Sequence, residues 1–321
     1  MATLDHTEAG FEALIVEHLA SAGGWEEGAP GRYDQQLALY PDDLVAFVRD
    51  TQGKAWDRLA KHSGGEDGAR QALLKRVAAQ LSKRGTIDLI RNGVSEKGIV
   101  FRLCYFRPNL QADRTGLILY EANRLTVVRQ VHHDPRRAQD SIDLVLFVNG
   151  LPTATAELKN KYSSTGWDVE EAIRQYREDR DPRNLLLGER ALVHFALDGD
   201  LAYMTTRLAG EGTRFLPFNQ GSGGPGAYGG RGNPLTGAAG HPTAYVWEQV
   251  WERDTWLELL DDFVFDEAEG PARSVVFPRY HQWDVVRACA AHARVHGAGQ
   301  SYLIQHSAGS GKTKEIAWLA H

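Results

Sequence analysis

Apolar positions in the middle of the chain form two consecutive runs that predict a β-hairpin. The first, residues 142–148, is apolar apart from Asp143, which is typical of a central strand buried on both faces. Asn149-Gly150 then gives the short-range signal of a hairpin turn. The second run ends in Glu157-Leu158-Lys159. Because strand side chains alternate between faces, the glutamate and the lysine point the same way.

Helical and strand patterns alternate along the rest of the chain and predict the α/β class. Helices are predicted over residues 11–19, 41–59, 68–84, 166–178, 246–263 and 278–291. Further strands are predicted over residues 100–106, 124–131, 191–197, 201–205 and 300–305. Residues 24–40 read as a loop, and residues 117–122 are ambiguous. A mixed sheet flanked by helices follows from this order.

The register of the central hairpin decides whether Asp143 lies beside Glu157. A strict two-residue loop at Asn149-Gly150 pairs Asp143 with Ala156 and sends the two carboxylates to opposite faces. A loop one residue longer pairs Asp143 with Glu157. Pro152 cannot donate to the strand ladder, which favours an irregular turn. We therefore expect the longer loop.

Two neighbouring carboxylates beside a lysine are typical of a phosphodiester-cleaving site. Asp143 and Glu157 would hold Mg²⁺, which is bound by carboxylates together with phosphate oxygens and water. Lys159 would orient the attacking water or stabilise developing charge. Glu12, on the helix of residues 11–19, would join the metal site if that helix packs against the sheet; otherwise it is a solvated surface residue. A solvated charged pair is the alternative interpretation of Glu157 and Lys159.

Composition restricts the class of protein and its compartment. The 321 residues suffice for about two domains, and the net charge of −6 means that any nucleic-acid contact depends on local basic patches. The helix of residues 68–84 carries basic residues that could form such a patch, although a solvated helix face is the preferred interpretation. Two cysteines, no signal peptide and no apolar run of bilayer length indicate a cytoplasmic protein with no membrane partner.

A phosphate-binding loop is predicted near the C-terminus. The sequence SAGSGKT, residues 307–313, follows an apolar stretch and precedes a helix starting at Lys312. Backbone N–H groups of Gly309, Ser310 and Gly311 would approach the phosphates of ATP, Lys312 would reach the β- and γ-phosphates, and Thr313 would bind Mg²⁺. Gln282 would read an adenine edge or cap its own helix. The strict motif has glycine where this chain has His306.

A glycine-rich stretch separates the chain into two predicted domains. Nine glycines lie between Asn219 and Gly240, together with Pro225 and Pro234, which predicts a flexible connector or a long surface loop. We expect an endonuclease domain over residues 1–218, a connector over 219–245, and the start of an ATPase domain over 246–321. The chain stops eight residues after Thr313. We therefore expect the front part of a larger protein that cannot hydrolyse ATP well alone.

The order of these segments resembles the restriction (motor and endonuclease) subunit of type I restriction–modification enzymes. The stretches VLFVNGLPTATAELKN, AIRQYREDRDP, ALVHFALDGDLAYMTTRL, FLPFNQG, RYHQWDVV and QHSAGSGKT carry the resemblance. It implies a PD-(D/E)xK nuclease fold followed by the beginning of a P-loop RecA-like helicase domain. It also implies Mg²⁺-dependent cutting of double-stranded DNA after ATP-driven translocation, in a complex with modification (methyltransferase) and specificity subunits.

By this resemblance Asp143 and Glu157 bind metal and Lys159 serves the attacking water. The proline of the family's "PD" pair is Ile142 here. The family's Q-x-x-x-Y motif is also altered, because Tyr176 is present while its nearest glutamine is Gln175. These two residues would contact the DNA backbone or position the site. Two rival hypotheses are a non-cleaving DNA- or subunit-binding module and a different ATPase with a regulatory N-terminal half.

Overall fold

The computed structural model describes residues 7–320 except 111, 162, 228, 236–239, 268–273, 298 and 308. Its helices are α1 (Glu8–Ser21), α2 (Pro41–Thr51), α3 (Gly53–Ser63), α4 (Glu66–Arg84), α5 (Thr86–Asn92), α6 (Arg114–Glu121), α7 (Val169–Arg174), α8 (Arg253–Glu258), α9 (Tyr280–His296) and α10 (Lys312–Ala320). Single π-helical turns are found at Gln175–Asp179, Leu186–Arg190, Val246–Val250 and Leu259–Phe263.

The strands are β1 (Glu26–Gly28), β2 (Val94–Glu96), β3 (Ile99–Phe101), β4 (Leu125–His132), β5 (Ser141–Val148), β6 (Leu151–Leu158), β7 (Val193–Leu197), β8 (Ala202–Thr205), β9 (Leu216–Pro217), β10 (Phe265–Glu267) and β11 (Ser274–Val276). Seven of them form one sheet in the order β1-β4-β5-β6-β7-β8-β9. The β1–β4 and β6–β7 pairs are parallel and the other neighbours are antiparallel. The predicted mixed α/β architecture is confirmed.

The central hairpin reaches its register by a bulge. Val148 pairs with Leu151, so the loop has two residues and the expectation of a longer loop is wrong. Asn149 and Gly150 both have positive φ, and the Asn149 side chain donates to the carbonyl of Leu103, which anchors the tight turn. Thr153 is then the extra residue, because the ladder shifts between Leu146 and Phe147. Beyond the bulge, the register is the one predicted for Asp143.

Several secondary-structure predictions outside the hairpin differ from the structure. The differences lie in segments whose conformation depends on contacts with distant parts of the chain. The loop predicted over residues 24–40 contains β1, which exists through parallel pairing with β4. The predicted helix 41–59 is two helices separated at Gln52. The ambiguous segment 117–122 belongs largely to α6. Residues 300–305 do not form the predicted strand, and Leu303 is 93% exposed, because no strand of the described chain pairs with them.

The segment after the glycine-rich stretch packs directly against the sheet. Trp247, Trp251 and Trp256 are fully buried, and the Trp256 indole N–H donates to the hydroxyl of the bulged Thr153. Within the glycine-rich stretch, the Asn233 side chain donates a hydrogen bond to the carbonyl of Asp200 and so attaches the stretch to the loop before β8. Among the residues described, no helix has the length and apolar character needed to cross a bilayer.

Candidate functional site

The two acidic residues of the central hairpin lie side by side. Leu144 pairs with Ala156, and the next position along this register places Asp143 opposite Glu157. The carboxylate of Asp143 accepts a 2.7 Å hydrogen bond from the backbone N–H of Leu158. Asp143 is half-buried, whereas Glu157 is only 1% exposed. The hairpin thus holds one carboxylate near solvent and one deep inside.

Arg180 is the partner of the buried glutamate. Its Nε donates to Glu157 Oε1 at 2.7 Å, and its Nη2 donates to the carbonyl of Ser141 at the start of β5. Burial, and then the charge of Asp143, raises the pKa of Glu157 to about 8, even though Arg180 opposes this shift. Deep burial, more than the neighbouring charge, thus disfavours the ionised form of Glu157.

Glu12 completes an acidic triad. The helix α1 packs against the sheet, so Glu12 is 7% exposed and the surface interpretation of this residue is wrong. Gln130 Nε2 donates to Glu12 Oε2 at 2.5 Å and to Asp143 Oδ1 at 3.2 Å. Burial raises the pKa of Glu12, and Asp143 adds to this rise. The positive end of the Gln130 amide is thus placed between two carboxylates.

Gln130 also has an unusual backbone conformation. Its φ is +49° within β4, a region that a non-glycine residue rarely adopts. The side-chain oxygen accepts from the hydroxyl of Ser141 at 2.7 Å. Strained residues of this kind concentrate at functional sites, where the surroundings hold them in place. Gln130 therefore belongs to the site and was missed from the sequence.

Lys159 lies in the same cluster and is almost fully buried. Its side chain is 4% exposed, its Nζ lies 3.3 Å from Glu8 Oε2, and it sits 5.6 Å from the ring centroid of Trp167. The positive charge of Lys159 acts on Glu157 and lowers its pKa slightly. Glu8 stands at the start of α1, where Thr7 caps the helix by accepting from the N–H of Gly10. One helix thus supplies both Glu12 and the partner of the lysine.

Gln175 and Tyr176, which were predicted to contact the DNA backbone or to position the site, are partly and wholly buried, respectively, rather than exposed on the surface. Tyr176 is fully buried and its hydroxyl lies 2.7 Å from Thr155 Oγ1 on β6. A buried ring cannot contact a DNA backbone, so that assignment is wrong for Tyr176, while its contact with β6 suits a positioning role. Gln175 begins the π-helical turn, and its Oε1 is buried without a hydrogen-bond partner.

The segment predicted to form a phosphate-binding loop has left-handed backbone at two of its glycines. Gly309 and Gly311 have φ of +75° and +89°, and α10 begins at Lys312 as predicted. Lys312 Nζ donates to the carbonyls of His306 and Ser307. Gln282 donates to the carbonyl of Ser310 and accepts from the backbone N–H of Arg279. The glutamine thus caps α9 and holds the loop at the same time; Thr313 is exposed.

Comparison with known proteins identifies the family to which the chain belongs. A family model described as the type I restriction enzyme R protein N terminus matches residues 8–213. The chain belongs to this family. A type I restriction enzyme endonuclease subunit of Methanocaldococcus jannaschii, MjaVIIIP, is 25% identical in an alignment 329 residues long that covers 95% of this chain. The chain spans 28% of the length of that relative. A role in a restriction system follows from the family.

Three members of the site in this R-protein N-terminal domain were missed from the sequence, two of them because they carry no signal of their own. Arg180 lies in the charged segment REDRDPR, where its partner cannot be chosen from several candidates. Glu8 lies in the first turn of α1, where an acidic residue ordinarily interacts with the helix dipole. Gln130, together with the adjacent Arg129, interrupts the apolar residues of β4, and this interruption was the available signal.

Proposed function

We propose that the chain is the Mg²⁺-dependent DNA endonuclease part of a type I restriction–modification enzyme. The observation that carries the proposal is the acidic triad of Glu12, Asp143 and Glu157 with Lys159 in the same cluster. Two of the three carboxyls have raised pKa values, so the site gains from a bound cation. The amide N–H group of Gln130 donates to two of these carboxylates, which supports a cation at the same position.

Each residue of the site would have a defined task in phosphodiester cleavage. Asp143 and Glu157 would hold the cation, with Glu12 bound directly or through water. Mg²⁺ bound there would polarise the phosphoryl group and lower the pKa of a water ligand. Lys159, oriented by Glu8, would hold that water or stabilise charge on the phosphate oxygens. Arg180, which also binds the carbonyl of Ser141 at the start of β5, would hold the Glu157 carboxylate in position.

The C-terminal segment would supply nucleotide binding for an attached motor. A cleft of about 630 Å³ is lined by Gly309, Ser310, Gly311 and Gln282. Ser310 Oγ and Arg279 Nε at this cleft are buried without a hydrogen-bond partner. These polar groups would contact ATP, and the complete R protein would use its hydrolysis to translocate DNA before cutting. Double-stranded DNA and the modification and specificity subunits are the proposed partners.

The proposal is tested with the complete R protein assembled with its partner subunits. We expect linearisation of plasmid DNA with ATP and Mg²⁺, and no cutting when Ca²⁺ replaces Mg²⁺. An Asp143→Asn protein should hydrolyse ATP at the normal rate while leaving the plasmid intact. Cutting by that variant at the wild-type rate would refute the site. The partner-free 321-residue chain should still bind Mn²⁺ more tightly than its Asp143→Asn variant in calorimetry, which tests the cation site without any turnover.

The affinity of the site for Mg²⁺ should rise with pH. Glu157 must lose its proton to bind the cation, and its pKa without the cation is about 8. Affinity should therefore increase about tenfold per pH unit below pH 8 and level off above it, with one proton released on binding. Calorimetry in buffers of different ionisation enthalpy measures this release. A Glu157→Gln variant should show weaker binding with a flat profile, and a flat wild-type profile would contradict the prediction.

The same raised pKa affects stability in the absence of the cation. The pKa of Glu157 rises from its ordinary value of 4.5 to about 8 on folding, so the protonated form is favoured in the native state. Its contribution to stability is fully present below pH 4.5 and is lost as the pH rises through 8. Urea unfolding in EDTA across this range should show the loss, and Glu157→Gln should remove it.

Lys312→Ala in the complete R protein should lower ATP turnover at least tenfold. The substitution removes the amine that would neutralise the transferred phosphoryl group. Lys61→Ala, an exposed lysine on α3, serves as the matched control and should leave turnover unchanged. The 321-residue chain alone should bind nucleotide weakly and turn over little of it. Robust DNA-stimulated turnover by this chain would contradict the proposal of an incomplete motor.

A further inference from the structure

Two histidines and a glutamate meet beside the phosphate-binding loop. His281 lies in the first turn of α9, His306 precedes the loop, and Glu315 lies in α10. Their ligand atoms all lie within 4.8 Å of one another. The His306 ring is 2.9 Å from Glu315 Oε1 and packs edge-on against His281 at 4.7 Å. The cluster lies at the position where the sequence departs from the strict phosphate-loop motif, since His306 replaces glycine.

We propose that His281, His306 and Glu315 form a binding site for a transition-metal ion of the Zn²⁺ class. Imidazole nitrogens with one carboxylate are a common ligand set for zinc, and hard Mg²⁺ prefers oxygen ligands alone. Ligand atoms around tetrahedral zinc lie about 3.4 Å apart, given bonds of about 2.0–2.1 Å. The observed separations are at most 4.8 Å, so the side chains would have to close by up to about 1.4 Å around the ion. Three protein ligands leave one position open to water or an anion oxygen.

The surroundings of the three ligands fit a site of this kind. Glu315 is 1% exposed, which keeps its carboxylate out of bulk solvent. His281 Nε2 lies 3.4 Å from the carbonyl of Ser310, so one ring nitrogen is directed by the loop. A bound ion would join α9, the loop and α10, and would thereby stabilise the fold against heat.

Co²⁺ reports on such a site, because its tetrahedral complexes absorb strongly in the visible and its octahedral all-oxygen complexes only weakly. The 321-residue chain in excess Mg²⁺ should bind one Co²⁺ with visible absorption, and one equivalent of Zn²⁺ should abolish this band and raise the melting temperature. His306→Ala and Glu315→Gln should each lose the band. His281→Ala leaves the His306–Glu315 contact in place and should weaken Co²⁺ binding at least tenfold.

The matched control is the exposed pair His292 and His296, whose rings stack at 3.9 Å one turn apart on α9. This pair is the surface position at which an adventitious ion would bind. His292→Ala should leave the band and the Zn²⁺-induced stabilisation unchanged. Loss of the band in His292→Ala, its persistence in His306→Ala when circular dichroism shows that variant folded, or no band in the wild-type chain would each overturn the proposal. None of these outcomes bears on the acidic triad.

Discussion

Glu157→Gln is expected to reduce DNA cleavage by the complete R protein roughly a thousandfold or more. The substitution removes the charge of a proposed metal ligand, and such a ligand supports several kcal/mol of transition-state stabilisation. Glutamine keeps an oxygen that can accept from Arg180, which in the native site donates to Glu157 at 2.7 Å. Rates of plasmid linearisation at saturating ATP measure the effect.

Glu170→Gln is the matched control, because this exposed glutamate lies in α7 and outside the triad. It should cut DNA at the normal rate, and both variants should hydrolyse ATP normally. Glu157→Ala is less informative because it would leave a buried guanidinium without its partner. Normal cleavage by Glu157→Gln, or loss of its ATP hydrolysis with cleavage retained, would reverse the assignment of the two sites.

Arg180→Met should lower the free energy of unfolding by about 3–5 kcal/mol at alkaline pH, because removing one partner leaves a buried charge uncompensated. Both side chains of the pair are buried, at 7% and 1% exposure. Urea unfolding in EDTA measures the change. The loss should be smaller at pH 5, where Glu157 is protonated and needs no counter-ion, since its pKa is about 8.

The double variant Arg180→Met with Glu157→Leu should recover most of the lost stability, since apolar residues of similar volume often replace a buried ion pair without cost. It should not cut DNA. Arg174→Met is the control, because Arg174 is 43% exposed in its pairs with Glu171 and Glu178 and should cost about 0–1 kcal/mol. Equal effects of the two arginine substitutions would show that burial does not matter here.

The hairpin shows how far a sequence determines such a site. Strand alternation and the Asn149-Gly150 signal were sufficient for the two strands and for the turn. The neighbouring position of Asp143 and Glu157 was also predicted, but from a longer loop, whereas the structure has a two-residue loop and a bulge. A bulge depends on what the extra residue contacts elsewhere, and here Thr153 contacts Trp256, which is distant in sequence. Spacing alone cannot distinguish a longer loop from a bulge.

Glu12 and Arg180 show the limit more sharply. Glu12 follows Phe11 in α1, and its burial depends on how this helix packs against β4 and β6. Arg180 comes after a π-helical turn that shifts the phase of the chain at Gln175–Asp179. Helical periodicity does not predict such a shift, so it cannot predict where a charged side chain beyond the shift points. Residues within one strand were predictable, whereas those brought in by packing were not.

The bulge also identifies where the length of this hairpin can vary. Deletion of Thr153 would leave a regular two-residue hairpin in which Asp143 still faces Glu157, because the extra residue is the one that is removed. Deletion of a residue between Thr153 and Glu157 without repair of the bulge would turn the glutamate to the opposite face. The bulged position is therefore one at which β6 can lose a residue without turning the glutamate away from Asp143. That position carries the hydroxyl that accepts from Trp256, so a shorter hairpin would also lose its bond to the segment that leads towards the phosphate-binding loop.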